Sequence, residues 1–219
     1  MIKKHVYNTE RYAFIALIEE LFEGNDLQQL GAIDPDQYGF FSAPGSDSDT
    51  VFHNRFYDRM RAGWPEMIDT YKRFLREVIA PIMDIEDRLI YQKWPTFRIH
   101  LPNNVAVGGW HKDEDYNHPK GEVNFIVAIT EMFESNTTIS ESTPGKMDFR
   151  QLEMKPGEFT QFNGNQCIHG NLPNRTGVTR VSFDFRVLPT EQYNPEHDRR
   201  SLSKARKFVI GDYYDEIIL

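Results

Sequence analysis

His111, Asp113 and His169 are the residues of this chain whose types and spacing could do chemistry together. In an extended segment residues i and i+2 point the same way, so His111-Lys112-Asp113 offers an imidazole and a carboxylate side by side. A second imidazole, His169, follows 58 residues on (169 − 111). It is approached by Lys155-Pro156-Gly157-Glu158-Phe159-Thr160-Gln161-Phe162, a turn and then a strand. Two imidazoles and one carboxylate on one face of an octahedron leave three adjacent positions open. That donor set suits non-haem Fe(II), with room for a chelating cosubstrate and O2 beside the metal. A lone His-x-Asp triplet is more often a hydrogen-bonded surface pair. The preceding Gly108-Gly109-Trp110 and the distant histidine give this one its weight.

Eleven residues past His169 (180 − 169) comes Arg180-Val181-Ser182, with Arg180 and Ser182 on one face of the same expected strand. A guanidinium grips a carboxylate through two parallel hydrogen bonds, and a hydroxyl two residues on can add a third. Fe(II) at +2, Asp113 at −1, a dicarboxylate at −2 and Arg180 at +1 sum to zero, as a partly buried site requires. The plainer reading of Arg180 is an ion pair with Asp184, and Arg186 reads as structural. Arg98 and Asn124 interrupt apolar strands, where an unpaired polar group is costly; they either pair locally or touch the bound cosubstrate. His5, His53, His100, His118 and His197 read as packed or solvated, and Cys167 as a small core filler.

The elements that must position these groups divide the chain by texture. Over residues 1–88 the period is helical. Thr9 is placed to cap a helix carrying Tyr12, Phe14, Ile15, Leu17, Ile18, Leu21 and Phe22, which Gly24 stops. Residues 31–51 are rich in Gly, Pro, Asp and Ser and read as an irregular arm. A second helix starts at Trp64 with Pro65 in its first turn, keeps apolar residues at helical spacing to Ile79, and ends at Pro81. Over 89–188 the period becomes that of strands: Leu89–Tyr91, Phe97–Leu101, Val123–Thr130, Glu158–Phe162 between Pro-Gly and Asn-Gly turns, and Thr179–Val187. In the last, Val181, Phe183, Phe185 and Val187 alternate with Arg180, Ser182, Asp184 and Arg186. A C-terminal tail fills 189–219, charged and irregular from Thr190 to Arg206. Helices first and strands after predict an α+β protein, a double-sheet β-roll backed by N-terminal helices, in a single domain.

Composition sets the boundaries of function. With 219 residues, 39% of them hydrophobic and 13% aromatic, the chain can build one sizeable core. Its 25 basic against 33 acidic residues, net −8, lack the basic footprint of a nucleic-acid binder. No apolar run approaches the roughly 20 residues of a membrane span, and the first residues lack the apolar stretch of a signal peptide. One cysteine excludes an internal disulfide framework. These features predict a cytoplasmic protein acting on a small molecule; nothing in them sets the oligomeric state. The polar segment 131–148, with Ser140, Glu141 and Ser142, reads as a mobile loop beside the site that would close over a polar substrate carrying an amine.

The order His111-x-Asp113, His169, Arg180-x-Ser182 resembles the Fe(II)/2-oxoglutarate-dependent dioxygenases, closest to the phytanoyl-CoA hydroxylase-like group and its StrG-like branch. The resemblance covers about residues 88–188. It implies a double-stranded β-helix (jelly roll, cupin-like), with His111, Asp113 and His169 as iron ligands and catalytic centre. Arg180 would anchor the distal carboxylate of 2-oxoglutarate with Ser182 beside it, and Asn124 and Arg98 join the cofactor-binding set. Fe(II), 2-oxoglutarate and O2 would be the cofactors of a hydroxylase. Asp113 favours oxygenation, because halogenating relatives carry a small residue there. Where many relatives have Gly-Ser-His, this chain has Ser140–Lys146, so their substrates do not transfer. The alternatives are a non-catalytic cupin-like metal-binding or sensor protein, or a metal-dependent isomerase or lyase.

Overall fold

The computed structural model describes residues 2–33, 50–106, 109–202 and 205–219. The irregular arm expected over 31–51 lies outside these residues except at its ends, as does Gly108. The described chain opens with a short strand, β1 (Lys3–Val6), then helices α1 (Phe14–Leu21), α2 (Leu30–Ile33), α3 (Val51–Arg61), α4 (Pro65–Phe74) and α5 (Ala80–Ile82). Strands follow: β2 (Arg88–Gln92), β3 (Thr96–His100), β4 (Val123–Ala128), β5 (Thr138–Ser140), β6 (Arg150–Gln151), β7 (Glu158–Phe162), β8 (His169–Asn171), β9 (Arg180–Leu188) and, at the end, β10 (Tyr214–Ile218). The larger sheet runs β1-β7-β4-β9-β2-β10 with β3 also on β9, and the smaller runs β6-β5-β8. The pairings between these strands are antiparallel. Helices first and strands after, as the period predicts, give a mixed architecture.

β9 carries this architecture. Its apolar residues Val181, Phe183, Phe185 and Val187 are fully buried with helix residues such as Phe14, Tyr71 and Phe74 in one core. Phe183 meets Phe14 at 5.0 Å between ring centroids, and Phe185 meets Tyr71 at 5.3 Å. The opposite face of β9 looks into the space between the two sheets, where the candidate site lies.

Local departures from the sequence reading have physical reasons. Ala13, not Thr9, precedes α1, because Asn8 Oδ1 already accepts the amides of Glu10 and Arg11 at 3.0 and 2.8 Å. Gly24 does stop the helix, at φ +72°, and its N–H reaches Glu19 O at 2.8 Å. Pro65 opens α4 as expected, but the helix outlasts Pro81 by one residue after a π turn over Leu75–Ile79. Proline has no N–H for the preceding turn and its ring crowds that carbonyl, and the wider turn makes room. Unforeseen elements are β1, β10 and α3, the last capped by Thr50 Oγ1 on the His53 amide at 3.3 Å.

The expectation of a mobile loop over 131–148 is overturned. Its centre is β5, paired with β6 on one side and β8 on the other, and residues 137–141 are buried. Ser140 Oγ donates to Glu141 O at 3.0 Å, Glu141 accepts the amides of Ile168 and Met147, and Ser142 binds Asp148. The polar residues that suggested substrate contacts are spent on folding.

Candidate metal centre

His111 and His169 face each other through a two-residue antiparallel bridge, His111 N to His169 O at 3.1 Å and His169 N to His111 O at 2.9 Å. The backbone therefore presents one imidazole from each side. Asp113 completes the set, but not from a strand as expected: it opens a 3-10 turn over Asp113–Tyr116. Its amide is held by Gly164 O at 2.9 Å, in the Asn163-Gly164 turn. Asp113 Oδ1 lies 3.8 Å from His111 Nε2 and 3.7 Å from His169 Nε2, a triangle into which a single cation fits.

The rings are oriented for this. His111 Nδ1 lies 3.0 Å from the Gly109 carbonyl and His169 Nδ1 3.0 Å from the Cys167 carbonyl. A carbonyl only accepts, so each Nδ1 carries the hydrogen and each Nε2 offers its lone pair to the centre. Burial pushes the His169 imidazole down to about 4 against the opposing pull of Asp113, which keeps it neutral and ready to ligate. Burial alone would raise the Asp113 carboxyl, but Arg186, His118 and His169 outweigh it and hold it well below the usual carboxylate range. Arg186 Nε donates to Asp113 Oδ2 at 2.9 Å, and Asn124 Nδ2 donates to the same oxygen at 2.7 Å. Neutral nitrogen donors and a charged oxygen donor converge as a divalent transition metal requires.

The polar face of β9 continues away from this triangle. Asp184 is gripped by Arg186 at 3.0 Å on one side and Arg98 at 2.5 Å on the other. At the far end Arg180 is 1% exposed, yet it makes no ion pair among the described residues. Its Nη1 donates to Thr138 Oγ1 at 3.1 Å, while its Nε and the fully buried Ser182 Oγ have no hydrogen-bond partner. Burial, with the charge of Arg98 adding, pushes the Arg180 guanidinium down to about 9. A buried cation and hydroxyl without partners suit an incoming carboxylate. Arg180, the two histidines, Asn171 and Thr138 line one cavity, closed by Ile126 and Phe162.

The structure therefore brings His111, Asp113, His169, Arg180 and Ser182 to one region, and gives Arg98 and Asn124 the local pairing that was one of their two expected roles. Asn124 uses Nδ2 on Asp113 and accepts Gly164 N on Oδ1 at 3.0 Å, and it also lines the cavity. Arg98 lines the cavity but holds Asp184. Sequence reasoning missed Arg186. The signal was available in the Arg-x-Ser-x-Asp-x-Arg pattern, which on a buried strand face demands opposite charges nearby. The remaining histidines pack as expected, for example His5 on Phe159 at 5.0 Å and His53 on Thr50 Oγ1 at 2.6 Å. His118 and Glu122 also approach Asp113, but they bond to each other at 2.7 Å and Glu122 takes the Tyr214 hydroxyl, forming a closed network.

No family model matches the chain. It is 34% identical over 211 residues to the streptomycin biosynthesis protein StrG of Streptomyces griseus, covering 96% of each chain. Among solved structures, CytC3 with Fe(II) and alpha-ketoglutarate matches with a TM-score of 0.51 at 14% identity, over 88% of this chain and 74% of that one. EvdO2 from Micromonospora carbonacea var. aurantiaca matches with a TM-score of 0.51 at 11% identity, over 85% of each. At these identities the two structures speak for a shared fold. Among the described residues no helix is long and apolar enough to cross a membrane.

Proposed function

The chain belongs to the family of the streptomycin biosynthesis protein StrG, and from that premise we propose that it is an Fe(II)- and 2-oxoglutarate-dependent oxygenase. It oxidises a C–H bond of a small polar molecule, hydroxylating it and releasing succinate and CO2, in one oxygenase domain of the jelly-roll, cupin-like type. The observation that carries the reading is that one cavity joins the two histidines of a His-Asp-His triangle to a buried Arg180 with an unpaired Nε, two residues along β9 from an unpaired Ser182 Oγ.

Each group then has a task. His111, Asp113 and His169 hold the iron, with Nε2, Oδ1 and Nε2 as donors. Arg180 and Ser182 receive the distal carboxylate of 2-oxoglutarate, and Thr138 Oγ1 steadies the guanidinium. Bound iron and 2-oxoglutarate would supply the oxidative chemistry, coupling decarboxylation of the oxo acid by O2 to oxidation of the substrate. Ile126 and Phe162 keep part of the wall apolar and limit water. The polar cavity, with Arg98 and Asn171 in its lining, and a relative named for streptomycin biosynthesis support a small, polar, natural-product-like substrate.

Succinate release by the purified protein tests this. It should require Fe(II), 2-oxoglutarate and O2 together and vanish in His169→Ala. Iron binding without succinate under any condition would make the protein a metal-binding or sensor module. Turnover without O2 would make it an isomerase or lyase.

A further inference from the structure

Asp113 is 2% exposed and its two oxygens are used differently. Oδ1 faces both histidine Nε2 atoms, at 3.8 and 3.7 Å. Oδ2 accepts Arg186 Nε at 2.9 Å and Asn124 Nδ2 at 2.7 Å, two donors for an oxygen that offers two lone pairs in the carboxylate plane. Arg186 adds a longer contact, Nη2 to Oδ1 at 3.2 Å, which completes a fork on the carboxylate.

The chain builds this grip deliberately. Asn124 and Arg186 are cross-strand partners in the β4–β9 register, so their side chains arrive together. Asn124 is fixed from its other end by Gly164 N at 3.0 Å, and a Cβ on Gly164 would come within 2.8 Å of the Asn124 carboxamide. Arg186 is fixed by Asp184 at 3.0 Å and by Gln92 Oε1 at 3.2 Å. Neither donor can follow the carboxylate if it rotates.

We propose that Arg186 and Asn124 are positioning residues that restrict Asp113 to ligation through Oδ1 alone. The inference rests on the metal-centre reading above and deepens it. Hard divalent cations readily take both oxygens of a carboxylate. With two histidines, a two-oxygen Asp113 would fill about four of six positions, and a chelating 2-oxo acid would take the rest. Holding Oδ2 away keeps a third position open for O2.

Mn(II) binding under nitrogen tests the clamp, with the metal's exchangeable waters counted from paramagnetic line broadening in water enriched in the magnetic oxygen isotope. The parent should carry about three waters, and about one after 2-oxoglutarate binds. Arg186→Lys keeps the charge but loses the fork, and Asn124→Ala leaves the charge ladder intact; if one fails to fold, the other carries the test. Each folded variant should carry about two waters, none after 2-oxoglutarate, and bind 2-oxoglutarate about tenfold more weakly. Two waters in the parent, or three in both parent and folded variants, would overturn the clamp and leave the metal centre standing. A parent that binds no Mn(II) would overturn the metal centre and the clamp with it.

Discussion

The two faces of β9 are both buried and solve burial in opposite ways. Val181, Phe183, Phe185 and Val187 need no partners beyond close contact, and rings from two helices, α1 and α4, and from β4 supply it. Arg180, Ser182, Asp184 and Arg186 need specific opposite groups, and the pairing is uneven along the face. At the Arg186 end every charge is gripped: Arg98, Asp184, Arg186 and Asp113 alternate in sign. At the Arg180 end a guanidinium nitrogen and a hydroxyl remain unpaired. Packing alone gives stability. Leaving one polar end unsatisfied sacrifices some of it for a place where a ligand anion can bind.

Substitutions on the two sides should break differently. Phe185→Ala removes a ring in contact with Tyr71, Phe125 and Phe74 and should cost about 3–5 kcal/mol of stability, read by urea unfolding. Asp113→Ala should destabilise by a similar amount, about 3–5 kcal/mol, because it strands the buried Arg186 fork, besides abolishing tight metal binding. A small stability change in Asp113→Ala would show that the ladder on the polar face is not coupled.

The polar side should also be sensitive to acid. Burial lowers His100 to about 3 and His169 to about 4, against about 6.5 in an unfolded chain. The unfolded chain takes up protons first, so metal-free stability is full above about pH 6.5 and falls as the pH drops toward 4. Each group adds a slope of up to about 1.4 kcal/mol per pH unit, and His100→Gln should remove roughly half of the combined slope between pH 6 and 4.5, measured by urea midpoints. A flat profile over that window would contradict the burial of neutral imidazoles. Smaller still, Ser182→Ala should leave stability unchanged or slightly higher, since its hydroxyl is unpaired, while costing about 1 kcal/mol of 2-oxoglutarate binding. Equal 2-oxoglutarate affinity in parent and variant would remove Ser182 from the cosubstrate site.

What could be read in advance follows the same division. β9 was legible on both faces, because strict alternation states which side each residue takes and the two chemistries differ so plainly. His111, Asp113 and His169 were legible as donors, but their convergence depends on a two-residue bridge and a 3-10 turn that no period announces. The tasks of Asn124 and Arg186 follow from the β4–β9 register, a long-range fact absent from either strand alone. The segment around β5 misled because its Ser, Thr and Glu residues look solvent-loving, whereas their side chains bond to nearby backbone and to Asp148.

The unpaired end of β9 is the proposed seat of the cosubstrate carboxylate. Titrating 2-oxoglutarate into the Mn(II)-loaded protein under nitrogen, parent against Arg180→Ala, tests it most directly. Losing a desolvated guanidinium–carboxylate pair should weaken binding by about 2–5 kcal/mol, on the order of 30- to several-thousand-fold, with Arg180→Lys recovering only part. Mn(II) affinity and the thermal stability of the metal-free protein should stay at or above the parent's, because the variant removes a buried charge that lacks an ion-pair partner. Unchanged 2-oxoglutarate affinity in Arg180→Ala would contradict the account.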